Sequence, residues 1–219
     1  MNIKSQGLNF DIIGDIHGHA DALERLLQKL GYQRKFGVYS HPDKRKVVFV
    51  GDFIDRGPKI RETLHLVRDM TESGNALSVM GNHEFNAISF HTPHTEKGGF
   101  FRDHSIKEIK QHMETLDQFK HYDSEWAGFL EWFRTVPLFL EFEQFRVVHA
   151  CWVDQHIQFF KKHYRGITTD FLSKGNNKQD KDGYYAAVND TLKGKEYELP
   201  EGLFFTDKDG TERTECRVR

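Results

Sequence analysis

Between Leu8 and Glu84 the chain three times runs an apolar stretch straight into a polar, glycine-led cluster. LNFDII leads into Gly14-Asp15-Ile16-His17-Gly18, KVVFV into Gly51-Asp52-Phe53-Ile54-Asp55-Arg56-Gly57, and ALSVM into Gly81-Asn82-His83-Glu84. Short, β-branched apolar runs are the pattern of buried strands. After the first cluster, Ala22, Leu23, Leu26, Leu27 and Leu30 recur at helical spacing up to Gly31. After the second, Ile60, Leu64, Val67 and Met70 do the same up to Gly74, with Pro58 suited to the first helical turn. Strands alternating with helices predict an α/β fold with a mainly parallel sheet. In such a sheet the loops leaving the carboxyl ends of the strands converge on one edge. A fourth run, Phe145 to Val148, ends at His149. The expected edge therefore collects Asp15, His17, Asp52, Asn82, His83 and His149, with Arg56 beside them.

Carboxylates and imidazoles gathered in this way suit a divalent metal with positions left open for water. Asp15 and His17 stand two apart, so an extended segment turns both to one side. The planar fork of Arg56 suits an anion such as phosphate. Taken singly, each cluster could be a turn, a surface ion pair or a helix start. Three in order, each directly after a strand, favour the metal reading. His41, His65, His91, His94, His104, His112, His121, His156 and His163 have no such setting and read as surface or insertion residues. Cys151 and Cys216 read as plain thiols, and two cysteines imply no disulfide framework.

The length of 219 residues fits a single domain, 1–219, with residues 86–135 as a helical, aromatic-rich insertion or cap beside the sheet. Trp126, Phe129, Leu130 and Phe133 share one helical face and read as core. Residues 175–182 read as a flexible loop. Leu203 to Thr206, a turn over 207–210 and Thr211 to Val218 read as a hairpin. The net charge of −2 lacks the footprint of a general nucleic-acid binder. No run reaches the ~18 apolar residues of a membrane span. The first residues lack a secretory pattern, so a cytoplasmic location is expected.

In combination, GDIHG (14–18), GDFIDRG (51–57), GNHE (81–84) and the strand-end His149 resemble the calcineurin-like metallophosphoesterases. The GDxxDRG form is most similar to their phosphoprotein-phosphatase branch, with its bacterial Ser/Thr phosphatases and symmetrical diadenosine tetraphosphatases. The resemblance covers roughly residues 8–150. It implies a four-layer αββα sandwich and two divalent metals, manganese by preference, with iron or zinc as alternatives. It assigns Asp15 and His17 to the first metal, Asp52 to both, and Asn82 and His149 to the second. Arg56 and Asn82 would hold the substrate phosphate, His83 would protonate the leaving oxygen, and Asp55 would orient His83. The implied reaction is hydrolysis of a phosphomonoester or nucleotide phosphate by direct attack of a hydroxide shared by the metals. A phosphorylated small molecule, a nucleotide or a phosphoprotein would be the substrate, and the wall formed by residues 86–135 would carry specificity.

Two departures stand out. The family usually has Gly after the fourth-motif His, where this chain has Ala150-Cys151-Trp152, so a more aromatic pocket wall is expected. The family also supplies a later Gly-His to the second metal, and no Gly-His pair follows residue 150 here. The resulting expectation is a chain lacking the family's terminal strands, with a weakened second metal site and low activity. Its alternative is an inactive metal- or phosphate-binding module.

Overall fold

The computed structural model describes residues 2–3, 9–180, 183–206 and 212–218. In chain order its elements are β1 (Asn2–Ile3), β2 (Phe10–Ile13), α1 (Ala20–Lys29), β3 (Gln33–Lys35), β4 (Val38–Ser40), β5 (Lys46–Phe49), α2 (Ile60–Glu72), β6 (Ala76–Ser78) and α3 (Asn82–His91). There follow α4 (Ile106–Phe119), α5 (Asp123–Thr135), β7 (Phe139–Phe142), β8 (Arg146–Val148), α6 (Asp154–His163), α7 (Thr169–Gly175), α8 (Tyr184–Lys193), β9 (Lys195–Glu198), β10 (Phe205–Thr206), β11 (Glu212–Arg213) and β12 (Glu215–Val218). None of the described helices is long and apolar enough to cross a membrane.

The expected parallel sheet is β2-β5-β6, with Ile12 opposite Val48 and Val48 opposite Leu77. Strand β5 is buried on both faces, as its unbroken apolar run requires. Val47 and Phe49 face the main core with Leu23 and Leu27 of α1 and Leu64, Val67 and Met70 of α2. Val48 faces the other way, into a smaller core with Val79, Leu140, Phe142 and Val147. The last three belong to a second sheet, β1-β7-β8, in which β7 runs parallel to β1 and antiparallel to β8. On the outer face of that sheet Phe139 stacks on Phe160 of α6, with ring centroids 6.5 Å apart. Helices, sheet, sheet and helix thus form the αββα layers that the resemblance implied.

Residues 86–135 hold the end of α3 and all of α4 and α5. Trp126, Phe129, Trp132 and Phe133 of α5 are buried in the main core, as the helical spacing predicts for three of them.

Several local details differ from expectation. Helix α2 starts at Ile60, two residues past Pro58, because Lys59 takes non-helical backbone (φ −134°, ψ 58°) and serves as its N-cap, with its N–H donated to Gly18 O at 2.9 Å. The expected flexible loop begins inside α7 and is anchored at Asn176, whose amide donates to Ser89 Oγ (3.0 Å) and Leu172 O (2.9 Å). The expected terminal hairpin divides between two partners: β10 pairs with β11, while β12 pairs with β9. Leu8, residues 181–182, the turn over 207–210 and Thr211 lie outside the described residues.

Candidate active site

The first two glycine-led loops are stitched to each other by main-chain hydrogen bonds, and the third joins them through side chains. Ile16 N and His17 N both donate to Asp52 O, at 3.0 and 2.9 Å, and Gly18 N donates to Phe53 O at 2.8 Å. The fit is tight enough to exclude a β-carbon. One added at Gly57 would lie 2.1 Å from His17 O, and one at Gly81 would lie 2.3 Å from both Asp52 N and Oδ1. Four non-glycine residues in these loops adopt left-handed backbone: His17 (φ 46°), Asp52 (φ 54°), Asp55 (φ 67°) and Arg56 (φ 69°). Each such residue is strained by roughly 1–2 kcal/mol, and strain of this kind persists where surrounding structure over-determines it.

Part of that surrounding structure is Glu84, which is fully buried. Its Oε2 accepts from Asp52 N (2.8 Å) and Gly81 N (3.1 Å), and its Oε1 accepts from Phe53 N (2.8 Å). One carboxylate at the start of α3 thereby holds the β5 loop in register with the β6 loop. Burial, and then the charge of Asp52, push the Glu84 acid up to about 7 against the pull of these donors. The sequence reading passed over Glu84; its place three residues after Gly81, where a helix-capping acid stands, is the signal for it.

Asp52 is buried at the centre, and its Oδ2 has three imidazole nitrogens around it. His149 Nε2 is at 3.4 Å, His17 Nε2 at 3.7 Å and His83 Nε2 at 3.9 Å. These separations exceed hydrogen bonds, yet match two ligands of one ion: at ~2.1 Å from a tetrahedral metal, ligand atoms lie about 3.4 Å apart. His17 donates Nδ1–H to Ile54 O (2.8 Å) and His149 donates Nδ1–H to Val50 O (2.6 Å). This leaves each Nε2 lone pair directed inward, the arrangement that orients metal-binding histidines. His17 Nε2 is buried and has no hydrogen-bond partner among the described residues. Burial, with the positive neighbours His83 and Arg56, lowers the His17 pKa and so favours the neutral, metal-binding form. Burial disfavours a charged His149, but Asp52 outweighs burial and pushes it up to about 9.

The residues present therefore fit a divalent ion. Two sets bring their ligand atoms within 4.8 Å of one another: His17, Asp52 and His83, and Asp15, Asp52 and His149. Asp52 belongs to both sets, but Asp15 is grouped with His149 rather than with His17. In its best-satisfied orientation the Asn82 amide donates to Leu192 O (3.2 Å) and His149 Nε2 (3.3 Å), and accepts from His83 N (3.3 Å).

His83 Nδ1–H donates to Asp55 Oδ2 at 2.5 Å. Burial opposes a charged His83, but the Asp55 bond and the Asp52 and Asp55 charges raise its pKa overall. Arg56 is exposed, with its Nη2 3.5 Å from His83 Nε2. The other oxygen of Asp55 accepts from His112 Nδ1 (2.7 Å) and Thr115 Oγ1 (2.6 Å), both on α4. Burial would raise the Asp55 acid, but these partners hold it well below the usual carboxylate range.

His112 thus corrects the reading that set the remaining histidines apart from the site. It is an insertion residue, but it is buried and bonded to Asp55. Its spacing in sequence carried no signal, because only the packing of α4 brings it there. Trp152 turns to Asp154, donating Nε1–H at 2.8 Å, and meets Phe139 edge-on at 6.0 Å.

Residues 8–183 match the calcineurin-like phosphoesterase family model. Among curated proteins, the chain is 51% identical over 76 residues to an asymmetrical bis(5'-nucleosyl)-tetraphosphatase of Halalkalibacterium halodurans, covering 35% of this chain and 31% of that protein. It is 33% identical over 143 residues to the protein of the same name from Oceanobacillus iheyensis, covering 65% of this chain and 55% of the relative. The chain thus spans about a third to just over half the length of these relatives. Their name reads asymmetrical, where the motifs resembled the symmetrical enzymes. Among solved structures, a Ser/Thr phosphatase from Saccharomyces cerevisiae matches with TM-score 0.45 and 21% identity over 65% of this chain and 38% of its own. A cold-active protein tyrosine phosphatase matches with TM-score 0.46 and 16% identity over 85% of this chain and 54% of its own. With the family model spanning most of the chain and the motif residues gathered at one sheet edge, the chain belongs to the calcineurin-like phosphoesterases.

Proposed function

We propose that the chain is a metal-dependent phosphoesterase whose substrate is a nucleotide phosphate, with a dinucleoside polyphosphate as the leading candidate. The observation that carries this reading is the ring of imidazole nitrogens around Asp52 Oδ2, with His17 Nε2 buried and unpartnered among the described residues. Asp15, His17, Asp52, Asn82 and His149 would hold two divalent ions, manganese by preference. When bound, these would supply Lewis acidity to the phosphoryl oxygens and to the attacking water. The chain's own residues would do the rest. Arg56, exposed beside His83, grips the phosphoryl group with its planar fork and offsets charge as the transition state forms. His83 holds a proton on Nδ1 toward Asp55 and presents Nε2 to the leaving oxygen, to which it delivers a proton. No phosphoenzyme is required, which suits thiols that stand outside this cluster. A cytoplasmic location accompanies this reading, and residues 86–135 form the wall that selects the substrate.

The names of the curated relatives support the dinucleoside choice. The test is incubation with a bis(5'-nucleosyl) tetraphosphate and manganese, with products separated by ion exchange. Mono- plus triphosphate marks asymmetrical cleavage, and two diphosphates mark symmetrical cleavage. Bound metal is counted in the same preparations, with Asp52→Asn as control. Turnover that survives Asp52→Asn, or none in a chain that binds two ions, overturns the reading.

A further inference from the structure

We propose that His112 and Thr115 are positioning residues for the proton-delivering pair, fixing Asp55 and through it His83. The inference rests on the phosphoesterase reading above and assigns a catalytic purpose to helix α4. Residues 112 and 115 stand three apart, so they share one face of α4 and grip Asp55 together. Thr115 Oγ1 donates to Asp55 Oδ1 at 2.6 Å and also accepts the Asp55 backbone N–H at 3.1 Å. It therefore holds the side chain and the left-handed backbone of Asp55 at once. His112 Nδ1–H donates to the same Oδ1 at 2.7 Å, leaving Oδ2 for His83.

Behind His112 the contacts return to the helix that carries His83. His112 Nε2 lies 3.3 Å from His91 Nε2, which accepts the Trp126 indole N–H at 3.1 Å. His91 and His83 are both on α3. The contacts His83–Asp55–His112–His91 thus begin and end on α3, which packs His112 between Asp55 and the helix that carries His83. A buried aspartate needing only satisfied lone pairs would not need a second histidine tied back to the first one's helix. Positioned acids contribute ~100–10,000-fold to rate, and loosening one loses part of that.

The experiment compares His112→Leu, His112→Asn and Thr115→Val with the unaltered chain on phenyl phosphate and p-nitrophenyl phosphate. A misplaced acid penalises the poorer leaving group more, whereas a general structural defect penalises both alike. For His112→Leu and Thr115→Val we expect kcat on phenyl phosphate to fall ~10–100-fold. The fall on p-nitrophenyl phosphate should be several-fold smaller, with KM and metal content unchanged. His112→Asn, which restores an N–H near the position of Nδ1, should recover most of the loss. If His112→Leu does not fold, the near-isosteric Thr115→Val carries the comparison. Independently of activity, the low-field imidazole proton of the His83–Asp55 bond, followed by ¹⁵N-histidine NMR, should shift or broaden in Thr115→Val. Equal losses on both substrates, no recovery in His112→Asn, or an unmoved His83 proton would overturn the proposal. A chain inactive on both aryl phosphates and on a bis(5'-nucleosyl) tetraphosphate overturns the phosphoesterase reading instead; in a chain inactive on the aryl phosphates, whether or not it cleaves the tetraphosphate, the NMR measurement decides the positioning question alone.

Discussion

Glu84 offers a sharp test of how the loops are held, because it is a single buried carboxylate bearing three main-chain donors. In Glu84→Gln one oxygen survives. Placed where Oε2 stands, it keeps Asp52 N–H and Gly81 N–H and turns its –NH2 toward Phe53 N–H. One charge-assisted bond, worth ~1.5–3 kcal/mol, is lost, and two buried donors face each other. Relief of the repulsion between Glu84 and Asp52, part of what pushes the Glu84 acid up to about 7, works the other way. The balance is a loss of about 2–4 kcal/mol. At about 2–4 °C per kcal/mol for a chain of this size, melting falls by roughly 5–15 °C. Glu84→Ala, which loses all three bonds, should fall further. Calorimetry in excess chelator is the assay, since bound metal would add its own linkage to the melting temperature. A Glu84→Gln variant melting within ~1 °C of the unaltered chain would show that water or loop movement satisfies these donors, and the reasoning would fail.

Other outcomes follow from the same geometry. Gly57→Ala places a β-carbon 2.1 Å from His17 O, so the β2 and β5 loops must part; we expect insoluble expression, or metal binding weakened at least 10-fold by titration calorimetry. His17→Ala and His149→Ala each remove one inward Nε2 but leave Asp52, so each should lower the count of tightly bound ions without unfolding the chain, as read by metal analysis and circular dichroism. Burial, with the charges of His112 and His104, lowers His91 from 6.5 to about 4. The unfolded chain therefore takes up this proton below about pH 6.5 while the folded one does not until about pH 4. Stability from this group is present above that window and is lost as pH falls through it, by ~1–3 kcal/mol. In urea unfolding, His91→Gln should flatten the decline between pH 6.5 and pH 4.

The chain order by itself determined the α/β class, a mainly parallel sheet and the edge where the chemistry gathers, while the four-layer αββα plan came from the family resemblance. Apolar runs of strand length alternating with helical spacing give a parallel sheet, and parallel strands send their loops to one side. Asp52, His17, His83 and His149 were legible for that reason, since each stands at a strand end. Glu84 carried only the signal of its capping position, three residues after Gly81, and His112 carried none. A buried carboxylate and a second-layer histidine have no periodicity of their own, and their partners lie 31 and 57 positions away in sequence. Asp15 falling in with His149, the left-handed backbone of Asp55 and Arg56, and the return path from His112 through His91 to α3 are likewise products of packing. Local sequence sets which residues reach the edge. Only the approach of α3 and α4 to that edge decides which nitrogen faces which oxygen, because those contacts join segments that meet nowhere but in three dimensions.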